Sequence, residues 1–438
     1  MTRPHLLVIA PDRITHNTSD AVVAAALRIG VELTVATYLS PKVFAEAPHV
    51  RGVVPLVNAD GADADQATIV ARLCAAHARD PFARVVTFAE GYVEAAAAAN
   101  QALGLGGNTP ETAHRSRDKF VMRQALAAGG APVPEYRLVH TYEEFVNAVA
   151  AIGRPCVSKP ASASASEGVI KIDARTPLDG AWAFTTAVRE IAEDGGAVLV
   201  EEYVSGQELS VEIIAQGDRA IVVGCTEKTT EEEPFFAEVM HVHPAPFDAA
   251  TVAALHEVAQ RTVRSLGIVE GGAHLEVRLS PRGPVVMECA ARLGGDSIPI
   301  IVKLATGVDL YECVLRQASG LPFETRHTRH RVAGIRFVQA VRDGVIVEAG
   351  FDRRRLTAVR GVVGYGTLCQ PGDFAARPPL GRTQRLGFAL AVGDSADAVR
   401  TTLAHAEAAF DQTIVDVVAD AVPDAELSPT FALAGGGL

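Results

Sequence analysis

The hydrophobic pattern of the first hundred residues switches between two periods. Short apolar segments rich in β-branched residues predict strands, and segments with apolar residues every three to four positions predict helices. The predicted elements are strands at 5–10, 31–37 and 84–88 and helices at 19–29 and 91–102. This order is typical of a doubly wound α/β domain, which we place at residues 1–113 because the segment LGLGGNTPETA then interrupts the pattern.

Strands and helices are mixed less regularly in the rest of the chain. A helix is predicted at 116–128, and hairpins are predicted around Gly217-Asp218 and around the SPRG turn between strands at 273–279 and 284–290. We therefore expect an α+β arrangement without internal repeats. The predicted units are a first lobe at 114–205, with a mobile part at about 135–200, a second lobe at 206–330, an α+β unit at 331–420 and a disordered tail at 421–438.

Composition and charge narrow the class of protein. The chain has 438 residues, 48% hydrophobic and 21% charged, which suits a globular protein of several domains. The net charge of −12 argues against a nucleic-acid-binding protein. No apolar run is long enough for a membrane span and the N-terminus lacks the apolar core of a signal peptide, so we expect a cytoplasmic protein.

Two absences exclude further chemistries. The six cysteines form no CxxC pair, which argues against a zinc site and a disulfide framework. The first βα turn, APDRITHNTSD, has no glycine, which argues against a dinucleotide-dependent oxidoreductase.

A loop of small residues follows Lys159 in the segment SKPASASASEGVIKI. Small side chains let backbone N–H groups approach a polyanion, and hydroxyl groups add donors. The spacing is not that of a P-loop, and an ordinary flexible hairpin loop is the alternative. The candidate binding residues are Lys159, Ser162, Ser164, Ser166, Glu167 and Gly168.

Lys119 stands at the predicted start of a helix, where Asp118 has the side chain of an N-cap. Taken alone, a lysine in this position is more often a solvated helix residue than a binding residue. The segment EEYVSGQE begins with two acids at the end of a predicted strand. Its backbone and carboxylate groups suit a nucleoside. The candidates there are Glu201, Glu202, Tyr203, Val204 and Glu208, and surface acids at a strand–turn–strand are the alternative.

The segment HLEVRLSPRGPVVMECAARLGGD carries the strongest signal. Glu276 and Glu288 lie on adjacent strands of a predicted hairpin, each between apolar neighbours. Two facing carboxylates suit Mg²⁺, which prefers oxygen ligands. Arg292 follows and can stabilise negative charge at a transferred phosphoryl group or an oxyanion. The loop Gly294-Gly295-Asp296 adds backbone donors at a helix N-terminus. A cross-strand acid pair with a surface arginine is the alternative.

This ordered set resembles the ATP-grasp superfamily over about residues 1–420. The resemblance implies the ATP-grasp fold, two lobes that grip ATP, and magnesium as cofactor, with two ions expected and Mn²⁺ as a substitute. It implies that Lys119 and Lys159 contact phosphates beneath the loop 161–168. It further implies an adenine site at Glu201, Tyr203 and Val204, a ribose site at Glu208, and metal ligands at Glu276 and Glu288.

The form E-x-A-x-R-x-x-GG resembles the L-amino-acid ligase branch. Many ATP-grasp proteins have Asn two residues after the second metal ligand, but this chain has Ala290 there. The number of metal ions that the site binds is therefore left open. The branch implies a substrate pocket with Glu90 facing an amino group. The other implied substrate residues are Lys228, Glu238, His241, His274, Arg292 and Asp296, with a polar loop at 226–246 and a helix-entry acid at Glu90 as alternatives.

The resemblance implies an ATP-dependent ligase that joins an amino acid carboxylate to an amine through an acyl phosphate, releasing ADP and phosphate. Arg292, Lys159, Gly294 and Gly295 would stabilise charge, and His274 and Glu238 are candidate bases. The expected partners are small carboxylates and amines, without nucleic acid or membrane, in a homodimer as is common in the family. Alternatives are a carboxylase or purine-type ligase that uses bicarbonate, and a non-catalytic ATP-binding regulator.

Overall fold

The computed structural model describes most of the chain. The described residues are 3–10, 16–40, 44, 47, 49–59, 61–162, 166–189, 197–230, 234–377 and 385–416. They form four β-sheets flanked by helices, in a mixed α/β and α+β architecture as predicted. The predicted disordered tail lies outside the described residues.

The sheet near the N-terminus is parallel. Its strands are β1 (His5–Ile9), β2 (Glu32–Thr37), β3 (Val50–Pro55) and β4 (Val85–Thr87), in the order β3-β2-β1-β4, and its helices are α1 (His16–Ile29), α2 (Gln66–Arg79) and α3 (Val93–Leu103). Leu6 and Val8 of β1 pack in one core cluster, and Leu7 and Ile9 pack in another. Because successive strand residues point to opposite faces, helices cover both sides of the sheet. The doubly wound prediction is confirmed, with β3 and α2 as additions to it.

One helix occupies the region predicted as a helix over 116–128, and a shorter helix precedes it. They are α4 (Pro110–Arg115) and α5 (Lys119–Ala128). The Asp118 carboxylate caps α5 by accepting a hydrogen bond from the backbone N–H of Val121 at 2.8 Å. The predicted cap at Asp118 and the position of Lys119 at the start of the helix are confirmed, while the predicted bound of 116 is three residues early.

An antiparallel sheet and two helices form a small lobe. The strands are β5 (Tyr136–Val139), β6 (Cys156–Pro160), β7 (Ile170–Ile172) and β8 (Val198–Glu202), in the order β5-β8-β6-β7, with helices α6 (Tyr142–Ile152) and α7 (Leu178–Arg189). Thr141 and Glu144 form a capping box at the start of α6. Phe145, Ile172 and Val198 are fully buried in the core of this lobe, against which Phe235 of a later segment also packs.

An antiparallel sheet of eight strands dominates the second half of the chain. The strand order is β13 (Gly283–Ala290), β12 (Glu270–Ser280), β9 (Gln207–Gln216), β10 (Arg219–Thr230), β11 (Glu238–His243), β14 (Val332–Val338), β18 (Gly387–Gly393) and β16 (Val362–Thr367). Because β11 pairs with β14, the sheet continues across the predicted unit boundary at residue 330.

Helices and a small sheet complete the second half. They are α8 (Ala249–Leu266), α9 (Ile298–Thr306), α10 (Leu310–Ala318), α11 (Arg353–Thr357) and α12 (Ala396–Glu407), and the strands β15 (Gly344–Phe351), β17 (Phe374–Ala375) and β19 (Phe410–Val415). Met122 and Leu126 of α5 pack with α8 against the eight-stranded sheet. Among the described residues, no helix has the length and apolar character that crossing a membrane requires.

Candidate active site

One face of the eight-stranded sheet is polar although it is largely buried. On β9, Leu209, Val211 and Ile213 point into the apolar core, so the residues between them point to the opposite face. The pairing register extends this polar face across neighbouring strands. Opposite residues are Glu208 and Arg278, Ser210 and Glu276, Glu212 and His274, and then Glu276 and Glu288.

Glu276 and Glu288, the predicted metal ligands, are therefore cross-strand partners, as the hairpin pattern predicts. About a quarter of each side chain is exposed. Glu288 lies 3.2 Å from the Lys119 ammonium, and Glu276 lies 2.6 Å from Lys228. Two carboxylates that face a cleft, each beside a lysine, form an arrangement that can hold a cation and a polyphosphate together.

Charged side chains of alternating sign continue from Glu276 in both directions, with adjacent groups 2.5 to 3.4 Å apart. Each carboxylate thus has a positive or protonatable neighbour, which offsets the cost of burying it. We call this set the ion-pair chain. Its members, in order, are Glu212, His274, Glu276, Lys228, Glu238, His241, Asp296 and Arg385.

His274 lies between two of these carboxylates. Although burial opposes the charged form, Glu212 at 2.9 Å and Glu276 raise the pKa of His274 to about 9. His274 is therefore protonated near neutral pH and is a poor proton acceptor. This argues against His274 as the general base and leaves Glu238 as the candidate.

Lys159, one of the phosphate-binding candidates, contacts Glu201. The Lys159 ammonium is 2.5 Å from Glu201, which also receives two hydrogen bonds from the fully buried Arg123. Burial lowers the pKa of Lys159 to about 8 in spite of Glu201. The backbone N–H of Lys119 donates to the carbonyl of Ala161 at 2.9 Å, which brings α5 to the start of the serine-rich loop.

The serine-rich loop is described in part. Ser164 lies outside the described residues. Ser166 and Gly168 have left-handed backbone conformations with φ of 56° and 68°, and Glu167 is exposed. Among the described residues, no hydrogen-bond partner reaches the buried hydroxyl of Ser162. The C-terminal end of the loop thus makes a tight turn, as expected where small residues are needed.

Aromatic rings and cations surround the predicted nucleoside site. The Tyr203 and Phe236 rings stack with centroids 6.4 Å apart, and the Arg278 guanidinium lies over both. Arg278 also donates to Glu208 at 3.0 Å and to the carbonyl of Val204 at 3.1 Å. The Glu202 carboxylate is held elsewhere, by Arg282 in the β12–β13 turn. Tyr203 is partly exposed while Phe236 and Arg278 are buried beside it, and such flat groups suit a base and a ribose.

Glu90 and Arg292 connect the N-terminal domain to the second lobe. Their charged groups are 2.5 Å apart, and Arg117 approaches Glu90 at 3.2 Å. Burial alone would raise the pKa of Glu90, but Arg292 and Arg117 hold that pKa below its ordinary value. A paired carboxylate and guanidinium can hold the ammonium and the carboxylate of one amino acid.

The loop after Arg292 lies on the polar face of the sheet. A side chain at Gly294 would collide with His274, because its Cβ would be 2.7 Å from Nδ1. Only a glycine therefore lets the backbone pass so close. Asp296 follows with a φ of 53° and binds Arg385 through two hydrogen bonds of 2.5 and 2.7 Å.

Direct contacts connect many of the described candidates: Glu90 with Arg292, Lys119 with Glu288, Lys159 with Glu201, and Glu276 with Asp296 through the ion-pair chain. Glu202 binds Arg282 instead, and Glu167 is exposed. The sequence reasoning missed partners that hold them, namely Arg117, Arg123, Glu212, Arg278 and Arg385. Arg123 could have been suspected, because a charged residue lies on the apolar side of α5 next to Met122.

Comparison with known proteins agrees with this geometry. Residues 152–300 match the model of the ATP-grasp domain. The uncharacterized protein y4rH of Sinorhizobium fredii is 32% identical over 315 residues, which are 71% of this chain and 64% of that protein. Alanine–anticapsin ligase of Bacillus subtilis is 26% identical over 250 residues, which are 53% of this chain and 52% of the ligase. The chain thus spans between half and two thirds of the length of these relatives.

The fold has a match over nearly the whole chain. The crystal structure of an L-amino acid ligase from Bacillus licheniformis superposes with a TM-score of 0.78 at 22% identity, covering 95% of this chain and all of that one. At this identity the likeness concerns the fold. The domain match, the relatives and the fold agree that residues 152–300 form an ATP-grasp domain and that the chain is similar to the L-amino-acid ligase branch of the ATP-grasp superfamily.

Proposed function

We propose that the protein is an ATP-dependent ligase that joins the carboxylate of an amino acid to an amine and releases ADP and phosphate. One observation carries the proposal. Glu288 of the cross-strand pair lies beside Lys119, and Arg292 of the Glu90–Arg292 pair lies near enough to Glu276 and Glu288 for their charges to help stabilise its positive charge. A site for a metal and polyphosphate thus adjoins a site for an ammonium and a carboxylate.

The donor set fits Mg²⁺ with ATP as substrate. Glu276 and Glu288 offer partly exposed carboxylate oxygens, which Mg²⁺ prefers, and the metal would neutralise charge on the phosphates. Lys119 and Lys159 lie near enough to affect each other's charge, so they can bind the same polyphosphate. The ring pair of Tyr203 and Phe236 would bind the base.

Glu90 and Arg292 would orient the acid substrate. Its ammonium would bind Glu90, and its carboxylate would bind Arg292. A carboxylate oxygen then attacks the terminal phosphorus and ADP leaves, which gives an acyl phosphate. The nitrogen of the amine attacks the acyl carbon, the C–N bond forms, phosphate leaves and the nitrogen loses a proton, for which Glu238 is the candidate base. Arg292 and the backbone N–H groups of Gly294 and Gly295 would stabilise the oxyanion.

The test is ADP release from MgATP with the twenty proteinogenic amino acids, singly and in pairs, followed by mass spectrometry. We expect release that requires one amino acid and increases with a second, with a product mass equal to the sum of both less water. Tight ATP binding without release for any pair would overturn the proposal.

Two controls separate the alternatives. Release that requires bicarbonate and no amino acid would identify a carboxylase. ATP binding without turnover under every condition would identify a regulator. The same assay with hydroxylamine in place of the amine detects activation of the acid alone, because hydroxylamine converts an acyl phosphate to a hydroxamate.

A further inference from the structure

A basic segment at residues 326–331, with the sequence RHTRHR, lies in the connection between α10 and β14 and takes no part in the proposed reaction. It contains three arginines, two histidines and no acid, although the whole chain has a net charge of −12. All six residues are exposed. Within the described part of the chain, no carboxylate pairs with Arg326 or Arg329. Arg331 lies 3.6 Å from Asp394, but more than half of each side chain is exposed, so this pair is weak.

A cavity of about 250 Å³ lies beside this segment. Both charged and apolar residues line it, including His327, Arg329, His330 and Arg331 from the segment and Ala305 and Val332 from α9 and β14. An apolar cavity of about 150 Å³ is large enough to hold benzene. The larger cavity can therefore hold an aromatic ring together with a small anionic group, and its lining suits both parts.

Hydrogen bonds hold the basic segment in place. The backbone N–H groups of Thr328 and Arg329 both donate to the carbonyl of Thr306, at 2.8 and 3.0 Å. The His327 ring donates through Nε2 to the carbonyl of Val223 at 2.8 Å, because a carbonyl oxygen only accepts. The basic lining of the cavity is thus fixed before any ligand binds, which reduces the entropy that binding would cost.

A structural role at the end of α9 is the alternative explanation of the charge. Thr306 is the last residue of α9, where the carbonyl groups carry partial negative charge and nearby cations stabilise the helix. That role needs neither a cavity nor two arginines beside apolar residues. Moreover, neighbouring positive charges without acidic partners repel each other, and an anion bound between them would relieve this repulsion.

We propose that residues 327–331 and the adjoining cavity bind a small phosphate monoester whose organic part is apolar. The inference goes beyond the proposed function, because this ligand is neither the nucleotide nor a substrate of the ligase. The guanidinium groups of Arg329 and Arg331 would bind the phosphate oxygens, which match the fork of N–H donors in an arginine. The apolar part would contact Ala305 and Val332.

Isothermal titration calorimetry with phenyl phosphate as the probe tests the proposal. The protein is first saturated with Mg²⁺ and a non-hydrolysable ATP analogue, so that the proposed nucleotide site is blocked. We expect one equivalent of phenyl phosphate to bind, at least about tenfold more tightly than inorganic phosphate, because the ring leaves water. Phenol, which has the ring without the phosphate, should bind at least about tenfold more weakly than phenyl phosphate.

Arginine variants locate the binding site. The double variant Arg329→Gln with Arg331→Gln should raise the Kd for phenyl phosphate at least about tenfold, because charge-assisted hydrogen bonds are lost. Arg354→Gln is the matched control, because Arg354 is an exposed arginine of α11 in the same unit, and its Kd should equal that of the wild type. If the double variant does not fold, the single variant Arg329→Gln decides the question.

The contrary results are distinct. Absence of phenyl phosphate binding, equal affinity for phenyl phosphate and inorganic phosphate, or an unchanged Kd in the double variant would each overturn the inference. A lower Tm of the double variant with an unchanged Kd would assign the segment to stabilisation of α9 alone. Because the titration requires no turnover, failure of the proposed ligase reaction would leave this test unaffected.

Discussion

The carboxylate of Glu90 and the guanidinium of Arg292 are 2.5 Å apart although 202 residues separate them in the sequence. Glu90 follows β4 of the N-terminal sheet, and Arg292 follows β13 of the large sheet. The contact therefore joins the two units at the place where we propose that a substrate with two charged groups binds. Neither group can be removed without leaving the other buried beside fewer partners.

Arg292→Lys tests the role of this contact in acid activation. Lysine keeps the charge but cannot place two N–H groups toward one oxyanion, so we expect the rate of hydroxamate formation to fall about 100-fold. The KM for ATP should change little. Arg115→Lys, on the exposed side of α4, is the control. A normal rate in Arg292→Lys would remove this residue from the reaction.

The pKa of Lys159 predicts how ATP binding depends on pH. Burial lowers that pKa to about 8, so the ammonium is lost as pH rises through about 8, and with it the attraction to phosphate. The apparent Kd for ATP should be flat below that pH and rise by up to about tenfold per unit above it.

Isothermal titration calorimetry across this range measures the effect. An arginine side chain stays protonated above pH 8. The Lys159→Arg variant should therefore bind ATP with a Kd that does not rise with pH in this range. A wild-type Kd that is constant up to about pH 10 would show that Lys159 does not contact the phosphates.

Glu276→Gln tests the proposed metal site. Glutamine keeps the shape but removes the negative charge, so the Mg²⁺ concentration that gives half-maximal ADP release should rise at least about tenfold. Lys228 would keep its contact with Glu238, so the protein should remain folded. Glu270→Gln is the control, because Glu270 lies on the same strand as Glu276 and pairs with Arg84 of the N-terminal domain. An unchanged Mg²⁺ requirement would assign the metal to other residues.

Arg123→Met tests the buried support behind Lys159. Arg123 is fully buried and binds Glu201 through two hydrogen bonds. Removing one partner of a buried ion pair leaves charge uncompensated, so we expect a loss of about 3 kcal/mol in the free energy of unfolding. Urea unfolding followed by circular dichroism measures it. The change Arg137→Met, at an exposed position, should lower the free energy of unfolding far less. Equal losses in the two variants would contradict the prediction.

The fold and the central pair of acids could be predicted because their signals are local. The SPRG turn predicts the hairpin and brings the two acids near each other, although the register that it sets would pair Glu276 with Met287. A β-bulge between Glu276 and Val277 shifts the pairing by one residue, so that Glu276 faces Glu288. The Asp118 cap is likewise a signal from neighbouring residues, although a helix start two to three residues early was predicted. The strand β11 was harder to predict, because polar residues in the segment 226–246 suggest a loop as readily as a strand.

The partners of the site could not be predicted, because long-range packing selects them. Arg385 reaches Asp296 across 89 residues, and Arg278 reaches Glu208 across 70. The chain has 34 arginines among its 40 basic residues, so residue type does not mark these two. Whether these two arginines are buried depends on which strands become neighbours in the sheet. No local pattern in one sequence gives that strand order.

The eight-stranded sheet has a mechanical consequence. Strands joined edge to edge by hydrogen bonds resist separation, so β12 and β13, with the proposed metal ligands, and β14 and β18, beside Arg385, form one rigid body. The lobe of β5 to β8 shares no strand with that sheet and has its own core. Exchange of nucleotide would then depend on rotation of this lobe alone, and the speed of that rotation would limit turnover when chemistry is fast.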